Sequence, residues 1–541
     1  MPRIYFVGVD VGTGSARAAL VNSQGQVIKQ HSKGLKIWNP SPGHYEQSSD
    51  DIWKAVCCCV QYVVEGICPT EIVGISFDAT CSLVALGENG MPITVSTKGE
   101  DAQNVILWMD HRADKEAQII NATKHNLLKY VGGKVSLEME LPKLLWLKRN
   151  LNISCWSKIW RVFDLPDFLT WRCTGSDSRS LCSVVCKWNY DAENKTWSSE
   201  FLKIIGLGEL CENNFEKIGQ KICEPGSPVG CGLSDEAAQN LGLLPQTYVG
   251  TSLIDAHAGA LALFGCKPYD DDISSRLGLI CGTSTCHMSL TRSPCWTKGI
   301  WGPYRGAIFP EYFLNEGGQS ATGVLLDYII SIHPQVQNIK LKLAENGHIY
   351  TYLNNLLEKT AEEEELDDIC FLTKDIHVWP DFHGNRSPVA NPNLKGMISG
   401  LNMVSDEKNL AILYLAFVQA LSYGTKHIIE SLVNQGRTKF TSLIFSGGLS
   451  KNQLYVQTHA DVCNISAIVP HESEMVLVGA SMLGACASKV YPDLKSASRA
   501  MGGTGRVVKP NRNTIDFHSK KYRIFLKMLD DQLTYQNIMD S

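Results

Sequence analysis

Two short turns in this chain, Gly12-Thr13-Gly14-Ser15 and Gly282-Thr283-Ser284-Thr285, have the residue types that grip phosphate oxygens. Their backbone N–H groups and hydroxyls can point at an anion with no bulky side chain in the way. Either turn alone is also an ordinary hairpin. Half a chain length apart, the pair could hold a triphosphate from two sides of a cleft. Asp10 ends the strand that enters the first turn, where a carboxylate either caps the turn or holds a hydrated Mg2+ through oxygen. Asp255 follows the apolar run Tyr248 to Ile254 and precedes Ala256-His257-Ala258-Gly259-Ala260, small residues that admit a ligand or another backbone. A carboxylate there can accept the proton of a hydroxyl whose oxygen attacks a γ-phosphate, a contribution of roughly 10²–10⁴ in rate. It can equally N-cap the helix that follows, and the two roles can coexist. His257 is a second candidate base or a packed imidazole. Asp78 ends another strand and reads as a cap. Gly447-Gly448, with Asn452 opening the next helix, brings backbone against a flat adenine ring or makes a plain strand-to-helix turn. By spacing alone Cys81, Lys187 and Glu316 signal no chemistry, and a lone Lys or Glu reads as a solvated surface group. The chain has no Gly-x4-Gly-Lys-Ser/Thr and no complete Gly-x-Gly-x-x-Gly, which excludes P-loop and Rossmann sites.

Alternating strands and helices must position these residues. Ile4 to Asp10, Ala16 to Val21 and Val27 to Ser32 are strand-like around the first turn. Ser48-Ser49-Asp50 caps a helix whose apolar face is Ile52, Trp53, Val56, Cys57, Val60, Val63 and Val64. The Cys57-Cys58-Cys59 run sits on that helix as thiols at a core boundary. Ile72 to Phe77 is a short buried strand. Leu277 to Cys281 and Cys286 to Leu290 repeat the strand-turn-strand unit around the second turn, which predicts an internal duplication. Cys223 to Gly230 is a loop by composition, and Tyr248 to Ile254 is a strand. Asn409 to Ser422, apolar almost all round, predicts a helix buried between layers. Ser442 to Phe445 is a strand and Gln453 to Val462 a helix. The acidic run Glu362 to Glu365, with Asp367 and Asp368, reads as a solvated surface segment. The class is α/β, with two domains and a cleft between them.

A length of 541 residues with 44% apolar and 19% charged side chains implies two or more domains with a large core. The net charge of −5, without a basic stripe, argues against a nucleic-acid binder. No uncharged apolar run approaches the ~20 residues of a membrane span. The apolar start from Met1 is broken by Asp10 and has no small-residue cleavage site, so a secretory signal is not expected and the cytosol is the expected compartment. Nineteen cysteines with no Cys-x-x-Cys pair read as reduced thiols, not as a disulfide framework or zinc ribbon. Asn121-Ala-Thr and Asn194-Lys-Thr match the glycosylation pattern and stay bare in that compartment.

Six segments, in order, resemble the FGGY carbohydrate kinases, relatives of the actin, sugar kinase and heat-shock ATPase fold. They are Val7 to Ser15, Pro142 to Leu147, Leu253 to Gly259, Cys281 to Ser284, Gly396 to Leu401 and Phe445 to Asn452. Phe77-Asp-Ala-Thr-Cys-Ser-Leu83, Trp108-Met-Asp-His-Arg112 and Glu316-Gly-Gly-Gln-Ser-Ala-Thr-Gly323 are similar to the ribulokinase branch. The resemblance implies two ribonuclease-H-like domains, residues 1–262 mainly for sugar and 263–541 mainly for ATP. It implies Asp255 as catalytic base, Gly12 to Ser15 and Gly282, Thr283 and Ser284 as phosphate loops, and Asp10 beside the Mg-phosphate site. Gly447, Gly448 and Asn452 match the adenosine motif. Cys81, Lys187, Asp255 and Glu316 would line the sugar pocket, with Arg112 and Gln319 following from the neighbouring segments. The implied reaction is transfer of the γ-phosphoryl group of ATP, with Mg2+, to the C5 hydroxyl of D-ribulose, giving D-ribulose 5-phosphate in the cytosol. Another ketopentose or a pentitol is the alternative substrate, and an actin- or heat-shock-like ATPase switch the alternative class. A pseudokinase would not need the intact Asp10, Asp255 and both turns. Two features depart from the family pattern: Val418-Gln419-Ala420 stands where many relatives carry Glu on the buried helix, and Gln335 to Thr373 matches no family segment. Oligomeric state is left open.

Overall fold

The computed structural model describes residues 3–268, 272–343 and 347–541; Met1 and Pro2 of the N-terminal stretch, and residues 344–346 of the unmatched segment, lie outside them. The β-branched run after Ile4 forms β1 (Tyr5–Val11), which turns through Gly12–Gly14 into antiparallel β2 (Ser15–Asn22) and then β3 (Val27–Gly34). The other edge of β1 pairs in parallel with β4 (Ile72–Ala79), and β4 in parallel with β5 (Tyr248–Ile254). The resulting order is β5-β4-β1-β2-β3.

The second half repeats this pattern. Strand β6 (Arg276–Cys281) turns into antiparallel β7 (Thr285–Thr291), which pairs with antiparallel β9 (Phe313–Gln319), while β8 (Trp301–Arg305) adds an edge. On the other side β6 pairs in parallel with β10 (Ser442–Ser446), and β10 in parallel with β11 (Ser466–Pro470); β12 (Gly505–Val508) closes that edge. Three antiparallel strands followed by two parallel ones, in the same order in both sheets, is the internal duplication expected from the two turns. Each expected strand is present: the first is shifted by one residue, Tyr248–Ile254 is unchanged, and the others are longer by one or two residues.

Helix α1 (Ser49–Val64) starts where the capping residues lie: the Ser48 hydroxyl accepts the Asp51 N–H, and Asp50 and Asp51 fill the first turn. Cys59 on it is buried and Cys58 exposed, as core-boundary thiols would be. The long helix α5 (Glu407–Asn434) extends twelve residues beyond the expected Ser422, because Ile428, Ile429 and Leu432 continue its buried face past the polar stretch at Gly424 to His427. The acidic run is exposed, as expected, at the end of α4 (Ile349–Glu363) and in the turn after it.

Two helices form the layer between the sheets. Helix α3 (Asp255–Phe264) follows β5 directly and packs on α7 (Met475–Ala487), which lies across β1, β4 and β5. A Cβ at Gly8 or Gly74 would collide with the carbonyls of Leu477 and Gly484. The glycines thus set the closeness of α7 to the first sheet. One hydrophobic cluster accordingly runs from Phe6 and Leu83 through Leu261 to Leu477, Met482 and Ile468. No helix among the described residues is long and apolar enough to cross a membrane. All nineteen cysteines are free thiols.

Candidate active site

Three carboxylates meet at the C-terminal ends of three adjacent parallel strands, the usual place for ligands on such sheets. Asp10 and Asp78 face each other in the β1–β4 register, and Asp255 follows Ile254, the partner of Ala79. Asp10 does not cap the turn; its carboxylate takes Arg17 Nε at 2.8 Å, and Arg17 also reaches Glu474 at 3.0 Å. The turn closes on its own backbone, Gly12 N–H to Ser15 C=O at 3.0 Å, and the second turn does likewise, Gly282 N–H to Ser284 C=O at 2.8 Å. Asp78 is not the expected cap. It is fully buried, and no N–H or O–H of the described residues donates to either of its carboxylate oxygens. Burial, with the charges of Asp10 and Asp255, holds its carboxyl well above the usual range. Asp255 is the first residue of α3, one place after the N-cap Ile254, and its Oδ1 accepts the Ala256 N–H at 2.6 Å. Burial and then Asp10 push its carboxyl up to about 6.

Lys187, at the end of the short helix α2 (Leu181–Lys187), faces Glu316 on β9 across a buried ionic pocket. Neither is a solvated surface group: both are at least 97% buried. Lys187 Nζ lies 4.0 Å from Glu138 and 4.3 Å above the Trp301 ring, and Arg386 stacks on the same ring at 4.3 Å. Arg386 donates to Glu316 Oε1 at 2.6 Å and stands 3.8 Å from Glu138. Burial opposes both ionised forms, yet Lys187 and Arg386 bring the Glu316 carboxyl below its ordinary value, while Cys81, Glu316 and Glu138 keep Lys187 above its own. Cys81 is buried, its Sγ 4.0 Å from the Glu138 carbonyl, and Lys187 acts on it electrostatically. Lys187 and Glu316 also act on Asp255, which joins the pocket to the carboxylate trio. His257 faces away from that trio. Its Nε2 contacts Cys186 Sγ at 3.5 Å and Glu316 Oε2 at 3.6 Å, and burial lowers its pKa to about 4, so it is a neutral packed imidazole.

On the other side of the carboxylates a cavity of about 1030 Å³ is lined by Gly282, Thr283, Gly448 and Asn452 from the sequence expectation, together with Tyr350 and Asn354 of α4. Thr322 and Gly323 brace the Gly282–Thr283 turn through backbone bonds of 2.9 and 3.1 Å. Gly447, at φ 91°, is required by its backbone, since a Cβ there would strike Cys281. Asn452, at the start of α6 (Gln453–Cys463), does not use its side chain as a cap: it accepts from Asn354 at 3.0 Å and donates to Tyr414 at 2.6 Å. Tyr350 stacks on Tyr414. A smaller cavity of about 210 Å³ shares Gly448 and Lys451 and reaches Gly447, Arg17 and Glu474, linking the large cavity to Asp10. The first turn lines neither cavity; Thr13 instead accepts Trp108 Nε1 at 2.9 Å and Gln47 Nε2 at 2.8 Å. Ser284 closes the second turn without lining the cavity.

Arg112 spends its donors on Asp110, Glu46 and the Val95 carbonyl in a fully buried clamp, while Gln319 donates to the Leu421 carbonyl and its buried amide oxygen accepts no hydrogen bond among the described residues. Sequence reasoning missed Asp78 as a site carboxylate, as well as Glu138, Trp301, Arg386, Tyr350 and Asn354. The turn Gly384-Asn385-Arg386-Ser387-Pro388, a cation in a stiff loop, was the available signal for Arg386. Tyr350 and Asn354, four apart and so on one helix face, were the signal in α4.

Twin α/β halves around a carboxylate-lined cleft make this the two-domain fold of actin- and hexokinase-like sugar kinases. The structure of a xylulose kinase from Rhodospirillum rubrum superimposes with a TM-score of 0.80 over 98% of this chain and 99% of that one, at 17% identity. The N-terminal domain pattern of the FGGY family of carbohydrate kinases matches residues 5–262, and its C-terminal domain pattern residues 277–488. An FGGY carbohydrate kinase domain-containing protein of Xenopus laevis is 48% identical across 99% of this chain and 98% of its own length. A D-ribulokinase of Saccharomyces cerevisiae is 38% identical across 92% of this chain and 74% of its own. The chain belongs to the FGGY family of carbohydrate kinases. It is a sugar kinase, and use of ATP follows from that family.

Proposed function

We propose that this sugar kinase phosphorylates D-ribulose at its C5 hydroxyl, giving D-ribulose 5-phosphate and ADP. The observation that carries the reading is the position of Asp255, between an ionic pocket and a cavity of nucleotide size. Similarity to the yeast D-ribulokinase supports the choice of sugar. In the proposed pocket Lys187, Glu316 and Cys81 bind the sugar hydroxyls and turn C5–OH toward Asp255. Asp255 takes the hydroxyl proton as the oxygen bonds to the γ-phosphorus and the bond to the ADP oxygen breaks. Residues 1–262 supply most of the sugar site and 263–541 most of the ATP site. Gly282, Thr283, Ser284 and the Gly12–Ser15 turn would hold phosphates, and Gly447, Gly448 and Asn452 the adenosine. Asp10 would hold Mg2+; the orphaned Asp78 oxygens beside it are the hard, anionic donors that such a cation prefers. The ion, when bound, neutralises phosphate charge. The reduced state of nineteen free cysteines fits a cytosolic enzyme.

The test is Mg-ATP consumption with D-ribulose, L-ribulose, D-xylulose, L-xylulose, ribitol and no sugar, for the native chain and Asp255→Asn. The expected result is a strong preference for D-ribulose that the substitution abolishes. Near-normal turnover by folded Asp255→Asn would remove the base assignment, a preference for another sugar would replace the substrate, and sugar-independent hydrolysis would point to an ATPase switch.

A further inference from the structure

Behind the ionic pocket, three side chains that no part of the phosphoryl-transfer reading uses converge in the core. Cys182 and Cys186 lie four residues apart on one face of α2, and His257 comes from α3; their donor atoms all lie within 4.8 Å of one another. All three residues are fully buried. Glu316 Oε2 stands 3.6 Å from His257 Nε2 but lies outside this cluster of mutually close donors. The Cys186 Sγ to His257 separation is 3.5 Å. Tetrahedral zinc with Zn–S of about 2.3 Å and Zn–N of about 2.0–2.1 Å sets neighbouring donors roughly 3.3–3.8 Å apart, the scale of the Cys186–His257 edge.

We infer that Cys182, Cys186 and His257 form a buried binding site for zinc or a similar soft divalent cation. The charge balance favours occupancy. Binding converts two thiols to thiolates and releases two protons as one dication enters, so the net charge of the buried region does not change. Arg386 and Lys187 already neutralise Glu316 and Glu138 around it. The site joins α2 to α3 within the first half.

The full-length protein, produced in zinc-supplemented cells and passed into metal-free buffer, should retain close to one zinc per chain by elemental analysis. X-ray absorption of that sample should show two sulfur neighbours at about 2.3 Å and the His257 nitrogen at about 2.0–2.1 Å. Cys182→Ser should lose the metal, while Cys58→Ser, at an exposed thiol, should keep it. Absence of zinc from the native chain, a shell without sulfur, or undiminished zinc in Cys182→Ser would each overturn the inference. The absorption spectrum of the native chain decides even if the buried variant fails to fold.

Discussion

Asp255 is held where its charge is disfavoured: burial strips its water, Asp10 adds a like charge, and the Ala256 N–H and Lys187 only partly offset this. Its carboxyl titrates near 6 in the folded chain against an ordinary 3.8, so folding prefers the protonated form. Stability should therefore fall as pH rises from about 4 to about 6 and stay level beyond, by about 3 kcal/mol from this group alone. Asp255→Asn removes that penalty. Denaturant titrations should find the variant more stable than the native chain above pH 6, with the difference gone below about pH 4, where both side chains are neutral. The proposed role of Asp255 as base has the opposite need, because a base accepts a proton only when ionised. The kcat/KM of the native enzyme should drop about tenfold per pH unit below about 6, a limb that pH-rate profiles read directly. Asp10, Asp255 and the glycine turns were legible because each lies inside a local strand-turn signal. Asp78 and Arg386 were not. The meaning of Asp78 depends on its register beside Asp10, and that of Arg386 on an ion pair to a residue 70 positions away.

Helix α4 shows the same limit for a whole element. It holds none of the six short segments that carry the resemblance, yet Tyr350 and Asn354 face the large cavity, and Asn354 bonds both Asn452 and Tyr414. The proposed adenosine motif is thus seated on a helix that those segments do not include. Asn354→Ala should loosen Asn452 and raise the KM for ATP by about three- to tenfold, the worth of one hydrogen bond, while the KM for sugar stays near native. Initial-rate kinetics with each substrate varied separately would check this. Helix α5 was legible as buried from Asn409 to Ser422, where the apolar residues are dense. The departure at Gln419 finds its reason in the structure: its amide accepts from Thr373 at 2.6 Å and donates to the Cys370 carbonyl at 3.3 Å, a fully buried pairing that needs a neutral side chain. Gln419→Glu would set a carboxylate against that carbonyl and should lower the thermal midpoint by several degrees, with partial recovery on acidification.

Duplication was visible from two turns alone, because a strand-turn-strand unit is a local pattern repeated at a distance. How the halves interlock was not visible, since α7 reads only as a small-residue apolar helix and nothing in it names the strands it covers. Residues 475–487 lie across β1, β4 and β5, closer to the strand order of the first half than to their own. A fragment of residues 1–262 lacks that cover and should be insoluble or loosely folded when produced alone. Supplying residues 263–541 together with it should restore solubility, as gel filtration would show. The same arrangement bears on how the chain is made. The strands that bear the three site carboxylates leave the ribosome in the first half of translation, while the helix that seals them emerges after nearly nine-tenths of it is complete. A message cut short before Met475 would release a polypeptide with its central apolar face bare, a mark that chaperones and proteases recognise before any half-built kinase could accumulate.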